Sequence, residues 1–380
     1  MKNFKLHEIT KAIRMLDSPF TRKYEYPGKM QPRVSSTRAP NNLSELAEKL
    51  TLHDANLHVV PDSEDYPWFI REFQKKLIAQ ESRKELLLPN LRDENSSIAI
   101  YSDYGGESHN SKYLTYSFLI CAWDQTGAFH ASMQKIREKF KLNEPFKEIS
   151  FKDFRYGPIS RALDDYLKNL SNLVNGLLLT VVIEKSVGSV FGEEEKSAHQ
   201  FITKTLGDAG FGSWKPDVAE KILRIVHFPA YLVALLSKPG QNVFWMTDHD
   251  SIAPTEEQHK KVLNLFGNLL PHYCKHELGT ISGAVPFKEA DPQHLDLLSA
   301  ADVVAGSIEH YYTRSHQTTN EPLIREEANK VLRWLTGQGV ALKKHAMIIR
   351  KQDTGIVCGT LHFELKEKDP KATFVPVVVR

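Results

Sequence analysis

Cysteine is scarce in this chain: Cys121, Cys274 and Cys358 are the only three in 380 residues, and they lie far apart. A sparse, odd set without a CxxC pair excludes a disulfide framework and points to a reducing compartment. Long hydrophobic runs are missing as well. The longest, near residues 177–183 and 231–236, are far too short to span a bilayer. The opening "MKNFKLHEIT" has no apolar core of the signal-peptide kind. There is no internal repeat and no low-complexity tract. A strong charge imbalance is also absent: 49 Lys/Arg against 47 Asp/Glu leave +2, so overall charge does not announce a nucleic-acid binder. Together these absences lead us to expect a soluble cytoplasmic protein with no membrane partner.

What is present is an ordinary globular mixture, 41% hydrophobic and 25% charged, long enough for two domains or one elaborated domain. Charge is unevenly spread. Residues 1–40 hold nine Lys/Arg against three acids, a segment of +6, so the remaining 340 residues sum to −4. Such an arm suits phosphate contacts, and equally a solvated basic surface. The run His272-Tyr273-Cys274-Lys275-His276 offers alternating metal-ligand types on one strand face but no evident fourth ligand.

The hydrophobic pattern divides the chain into three parts. Residues 1–95 are a basic extension with short helices over 44–50 and after Pro67. Residues 96–315 form the core, with a helical insertion at about 190–238, and 316–380 add a helix and a hairpin. Within the core, residues 98–102 read as a strand ending at Asp103, and 113–123 as its antiparallel partner. Residues 124–127 read as a hairpin turn into a short third strand over 128–132. Residues 158–173 carry apolar positions at helical spacing. The run "LLLTVVI" at 177–183 reads as a strand buried on both faces in a parallel arrangement. Further strands are expected at 242–246 and 279–285, and helices at 255–273 and 293–312. The tail 345–350 and 355–365 reads as a hairpin, with "TFVPVVVR" a last strand. The class is therefore α/β: a mixed sheet, three antiparallel strands and then parallel ones, flanked by helices.

Carboxylates recur where these strands stop. Asp103 follows the strand at 98–102, Glu184 (with Lys185) the one at 177–183, and Asp248 closely follows the one at 242–246, with Asp250 two residues on. In open α/β sheets ligands bind outside the carboxyl ends of the strands, so parallel neighbours would bring these acids to one edge. The helix over 293–312 adds Asp302 inside the small, apolar stretch "LLSAADVVAGS". Ala300, Ala301, Ala305 and Gly306 would let that helix approach the sheet closely. An unpaired charge there is costly, and Glu309 lies two turns on near the same azimuth. Clustered acids repel unless a cation compensates them, and hard oxygen donors suit Mg²⁺ or Mn²⁺. Two such ions about 4 Å apart bind the attacking and leaving oxygens of an in-line phosphoryl displacement. Each residue alone has a plainer reading: Asp103 as a turn residue before Gly105-Gly106, Asp248 as a helix cap, Glu184-Lys185 as a solvated pair.

The ordered set "IAIYSDYGG", "YLTYSFLICAW", "EISFKDF", "VVIEK", "VFWMTD" and "LLSAADVVAGSIEHYY" resembles a family of bacterial and phage-associated proteins, described only as a domain of unknown function in the RNase H-like superfamily. The likeness covers roughly residues 97–314. It implies an RNase H-like mixed sheet and a metal-dependent, nuclease-type acidic site, in a setting of phage defence or mobile-element biology. By this resemblance Asp103, Asp248 and Asp302 match the family's aspartates, Glu184 with Lys185 its acidic–basic pair, and Glu148 with Lys152 its polar pair before the first long helix. Two departures stand out. Tyr104 follows Asp103 where the family has a glutamate, leaving Glu107 as the replacement in a longer loop. The closing helix reads Ser299-Ala300-Ala301 before Asp302 where the family has glutamine, leucine and alanine.

The leading expectation is a Mg²⁺- or Mn²⁺-dependent nuclease acting on DNA or RNA, with Asp103, Glu184, Asp248 and Asp302 as metal-binding catalytic residues. Lys185 and Lys152 would contact phosphate, and Glu107, Glu148, Asp250 and Glu309 are secondary candidates. Two alternatives stay open. One is a catalytically inactive RNase H-like module binding nucleic acid, a protein partner or a second copy of itself. The other is a phosphohydrolase for small phosphates, because "TDHD" resembles a His-Asp metal pair.

Overall fold

The computed structural model describes residues 43–192, 194–286, 291–317, 324–353, 355–364 and 377–379. The basic arm at 1–40 lies outside them. The helices among the described residues are α1 (Leu43–Lys49), α2 (Trp68–Ser82), α3 (Gly127–Phe140), α4 (Gly157–Leu173), α5 (Glu195–Asp208), α6 (Pro216–Leu236), α7 (Glu256–Tyr273), α8 (Pro292–Gln317) and α9 (Glu326–Leu335). The strands among these residues are β1 (Ser97–Gly105), β2 (Tyr113–Ala122), β3 (Gly176–Glu184), β4 (Asn242–Thr247), β5 (Ile281–Ala284), β6 (Leu342–Gln352), β7 (Gly355–Phe363) and β8 (Val377–Val379). Among the described residues no helix is long and apolar enough to cross a membrane.

The strands form one mixed sheet in the order β5-β4-β1-β2-β3-β6-β7-β8. β2 runs antiparallel to both β1 and β3, and β4 and β5 run parallel to β1. β6 runs parallel to β3, and β7 and β8 follow antiparallel. Alternation along the strands sends Ala99, Tyr101, Leu119 and Met246 toward α3, α4, α8 and α9. Ile98, Ile100, Phe118 and Trp245 face α2, α5, α6 and α7.

Several expectations change here. β1 does not end at Asp103 but continues to Gly105, because antiparallel pairing with β2 persists through Gly105↔Thr115 after the parallel contact with β4 stops at Ser102↔Thr247. The chain turns at Gly106, whose φ of +87° and proximity to the Tyr113 carbonyl exclude a side chain. The short strand expected at 128–132 is the start of α3. Thr126 closes a turn onto the Trp123 carbonyl at 2.7 Å, and Phe129, Met133 and Ile136 bury one helical face. The third antiparallel strand is instead β3, which meets β2 antiparallel and β6 parallel. A run apolar on both faces records that it is sandwiched between helix layers, not which way its neighbours run.

The expected insertion at 190–238 is not peripheral. In α6, 17 of 21 residues are buried, and Phe228 packs tilted against Phe118 and Phe69 and edge-on to Phe73, so this helix is the centre of one layer. The helices at 158–173, 255–273 and 293–312 are present as α4, α7 and α8, and the Thr255 hydroxyl caps α7 by accepting the Gln258 N–H at 3.2 Å.

Candidate active site

Asp103 lies within β1 on the face of Ala99 and Tyr101, opposite Ser117 of β2. Ser102 and Thr247 are the last paired residues of β1 and β4, so Asp248 falls level with Asp103 one step beyond. The Asp248 N–H donates to the Ser102 carbonyl at 2.9 Å, which fixes that position. By alternation with Phe244 and Met246, Asp248 projects to the same face as Asp103.

Asp302 arrives from the helix above. The small residues of α8 allow the close approach expected of them: a side chain at Gly306 would collide with Phe151, and the Ala305 carbonyl accepts the Thr115 hydroxyl at 3.1 Å. This seats Asp302 over β1, where its Oδ2 accepts the Phe151 N–H at 3.2 Å. The segment leading to the 3₁₀ turn Phe151–Asp153 is tied to α8 again where the Ile149 N–H donates to the Ser299 hydroxyl at 3.2 Å. Glu148 is held beside the aspartates by this strap.

The charges of these groups are felt by one another. Burial pushes the Asp103 carboxyl well above the ordinary range, and the Asp302 and Asp248 carboxylates push it further. Burial and then Asp248 raise Asp302 to about 7, with Glu148 adding to the effect and the Phe151 N–H and Lys152 opposing it. Glu148 is likewise raised to about 7, first by burial and then by Asp248, with Lys152 opposing. Lys152 is exposed, so its compensation is screened. Arg137 also reaches Glu148, but its guanidinium is committed to Asp296 at 2.6 Å.

The donor set is all oxygen and short of positive charge, with Asp103 buried and Asp248, Asp302 and Glu148 half-buried, which fits a hard divalent cation. Among the described residues no group of three or more His, Cys, Asp or Glu side chains is placed so as to hold a metal ion.

Other candidates sit elsewhere. The rows Asp103↔Ser117↔Thr180 and Tyr113↔Glu184 put Glu184 four residues further along β3, two strands away from Asp103. That is roughly 13 Å along the strand and about 10 Å across it, so Glu184 does not join the aspartates. Its Oε2 accepts the Lys351 N–H at 3.2 Å. Lys185 reaches the Ser108 carbonyl at 2.7 Å and feels Glu309. Glu309 itself accepts the Thr313 hydroxyl at 2.6 Å.

Glu107 and Asp250 both pair with Lys221 of α6, so they are already compensated. Glu184, Lys185, Glu107 and Lys221, with Tyr116 and Arg224, line a separate cavity of about 400 Å³. In the run suspected of metal binding, Cys274 is buried and His276 Nε2 shares a hydrogen bond with the Ser237 hydroxyl at 2.8 Å.

Tyr104, the departure from the family pattern, points away from the acids. It is buried on the α6 face, edge-on to Tyr116 and Phe118, and its hydroxyl bonds Ser102 at 2.7 Å and Thr247 at 3.0 Å. The position was legible: in a strand, neighbours i and i+1 face opposite sides, so the residue after Asp103 was never beside it. Arg137 was overlooked. Its spacing from Phe129 and Met133 puts a cation on the apolar face of α3, which is the signal of a buried partner.

No family model and no curated protein sequence matches this chain.

Proposed function

We propose that the chain is a divalent-metal-dependent nuclease that hydrolyses phosphodiester bonds of nucleic acid on an RNase H-like sheet. The observation that carries this reading is the convergence of Asp103, Asp248, Asp302 and Glu148 in a largely desolvated, undercompensated site reached from four different parts of the fold. Three antiparallel strands followed by parallel β4 and β5 accord with the fold implied by the resemblance.

In this reading Asp103, Asp248 and Asp302 hold Mg²⁺ or Mn²⁺, with Glu148 as the fourth acid. Bound ions would supply a nucleophile at neutral pH and neutralise charge developing on the leaving oxygen. The chain's own part is to keep the carboxylates aligned. β1 and β4 fix Asp103 and Asp248 through ladder pairing, and the Phe151 N–H orients Asp302. Lys152, exposed at the rim, would meet a phosphate as it enters. Glu184 and Lys185 fall outside this set.

The test is cleavage of labelled DNA and RNA in Mn²⁺ by the wild type, Asp103→Asn and Asp302→Asn. Each substitution should lower the rate by roughly 10²-fold or more, since even supporting groups of a metal site cost 10–100-fold. Undiminished Mn²⁺-dependent cleavage in both variants would sink the proposal. Metal-independent nucleic-acid binding without any cleavage by the wild type would favour the inactive module instead.

A further inference from the structure

Large hydrophobic side chains are rarely left in water without a reason when they cluster. Among the described residues three are exposed: Phe146 at 52%, Tyr156 at 43% and Ile356 at 38%. Two of the three belong to the strap that carries Glu148 and Lys152. Phe146 precedes Glu148 by two residues, and Tyr156 follows Lys152 by four, at the entrance to α4. The Lys147 ammonium lies 4.5 Å from the centre of the Tyr156 ring, which brings both ends of the strap together.

The backbone at Phe146 is held at φ +58°, a left-handed conformation unfavourable for a bulky residue. Its side chain is more than half exposed, so burial of the ring does not account for that conformation. Lys147, Lys152 and Arg155 interleave with the aromatics, while of the two acids in the same stretch Glu148 is turned into the carboxylate site.

Aromatic faces alternating with cations form the surface that binds unpaired nucleotides: bases stack on the rings while Lys and Arg follow the phosphates. A duplex hides its base faces and cannot use such rings. Resting on the nuclease reading above, we infer that Phe146 and Tyr156 form a stacking platform for a single-stranded segment of the nucleic acid. The platform delivers the adjoining phosphodiester to Asp103, Asp248 and Asp302. The substrate is thus a single strand or an unpaired end rather than a continuous duplex. An apolar peptide is disfavoured because Lys147 lies against the Tyr156 ring and Lys152 and Arg155 fall in the same short stretch.

The experiment measures binding without cleavage. Fluorescence anisotropy of a labelled oligothymidylate and of a labelled hairpin duplex is followed in EDTA, with the full chain. Variants are Phe146→Ala/Tyr156→Ala and, as a conservative control, Phe146→Tyr/Tyr156→Phe. Both rings are exposed, so the double alanine variant should keep the wild-type melting temperature. It should bind the single strand roughly tenfold or more weakly, with duplex affinity unchanged and the control pair near wild type. Equal weakening for strand and duplex, no weakening, or no single-strand binding by the wild type would each overturn the platform.

Failure of the nuclease reading looks different. Single-strand binding would depend on the rings, yet no Mn²⁺-dependent cleavage would appear. Conversely, cleavage lost on Asp103→Asn with ring-independent binding would leave the nuclease and remove the platform.

Discussion

Asp103 and Tyr104 are consecutive residues with opposite duties, and the two-residue repeat of a strand is the reason. Asp103 faces α8 and the other acids; Tyr104 faces α6 and closes a hydroxyl network with Ser102 and Thr247, to which Trp245 Nε1 adds a 2.9 Å bond. Replacing Tyr104 with Phe keeps the ring packing and removes only the hydroxyl. It leaves the Ser102 and Thr247 hydroxyls one partner short, so urea unfolding should show a loss of about 1 kcal/mol. Mn²⁺-dependent cleavage should stay within about twofold of wild type. Glu184→Gln belongs to the same comparison: placed well away from the aspartates, it should retain near-wild-type cleavage where Asp302→Asn does not. A loss in Glu184→Gln as deep as in Asp302→Asn would return Glu184 to the site. The sequence could nominate all these acids, because an acid after an apolar run is visible in one dimension. It could not sort them, because the sorting depends on register: Glu184 lies four residues beyond the row that holds Asp103.

At the scale of elements, α8 and the strap at 142–156 make the site, and one buried cation couples them. Arg137 of α3 donates to both oxygens of Asp296 on α8, to the Leu142 carbonyl at 2.7 Å and to the Lys147 carbonyl at 2.9 Å. It is thus a positioning residue for Glu148, one position further on. Arg137→Met would strand a buried carboxylate and free two carbonyls, with an expected destabilisation of about 3–5 kcal/mol by chemical denaturation. The double variant Arg137→Met/Asp296→Leu removes the orphaned charge and should recover most of that stability. It cannot restore the clamp on Lys147, so cleavage should remain impaired. Recovery of both stability and activity would show that Arg137 does not position the strap.

These same elements mark how far a linear reading goes. The helices α4, α7 and α8 follow from apolar spacing and caps, and the close seating of α8 follows from Ala305 and Gly306. The strap was legible only as "EISFKDF", because its conformation is imposed by the Ser299 hydroxyl and Asp302, about 150 residues away in the chain, together with Arg137 from the preceding helix. Likewise α3 was misread at its first turn: residues 128–132 are too few to separate a strand's repeat from a helix's. The layer role of α6 could not be seen at all, since a long apolar helix reads alike whether it is inserted or central.

Across the whole molecule, two sets of buried groups pull stability in opposite directions as pH changes. His130 and His259 are lowered to about 4 and His227 to about 3, each mainly by burial. Their folded values lie below their unfolded ones, so their contribution is present above about pH 6.5 and is lost as pH falls toward those values. The carboxyls behave inversely. Asp302 and Glu148 at about 7 lie above their unfolded values, so the folded state keeps protons that the unfolded chain gives up. The stability they allow is full below about pH 4 and is lost as pH rises through 7. Because both sets act between pH 4 and 7, the wild-type profile alone cannot separate them. A difference can. In metal-free buffer the melting temperature of Asp302→Asn relative to wild type should be higher at pH 8, where Asp302 is charged in the folded state, than at pH 5, where it is protonated. With one pKa unit worth about 1.4 kcal/mol, the difference between the two pH values should reach at least ~2 °C. Adding Mn²⁺ should raise the wild-type melting temperature at pH 8 far more than at pH 5, since ligation requires the ionised carboxylates. It should do little for Asp302→Asn. Differential scanning fluorimetry reads all these arms, and equal Mn²⁺ shifts at both pH values, or in both proteins, would detach the metal from these carboxylates.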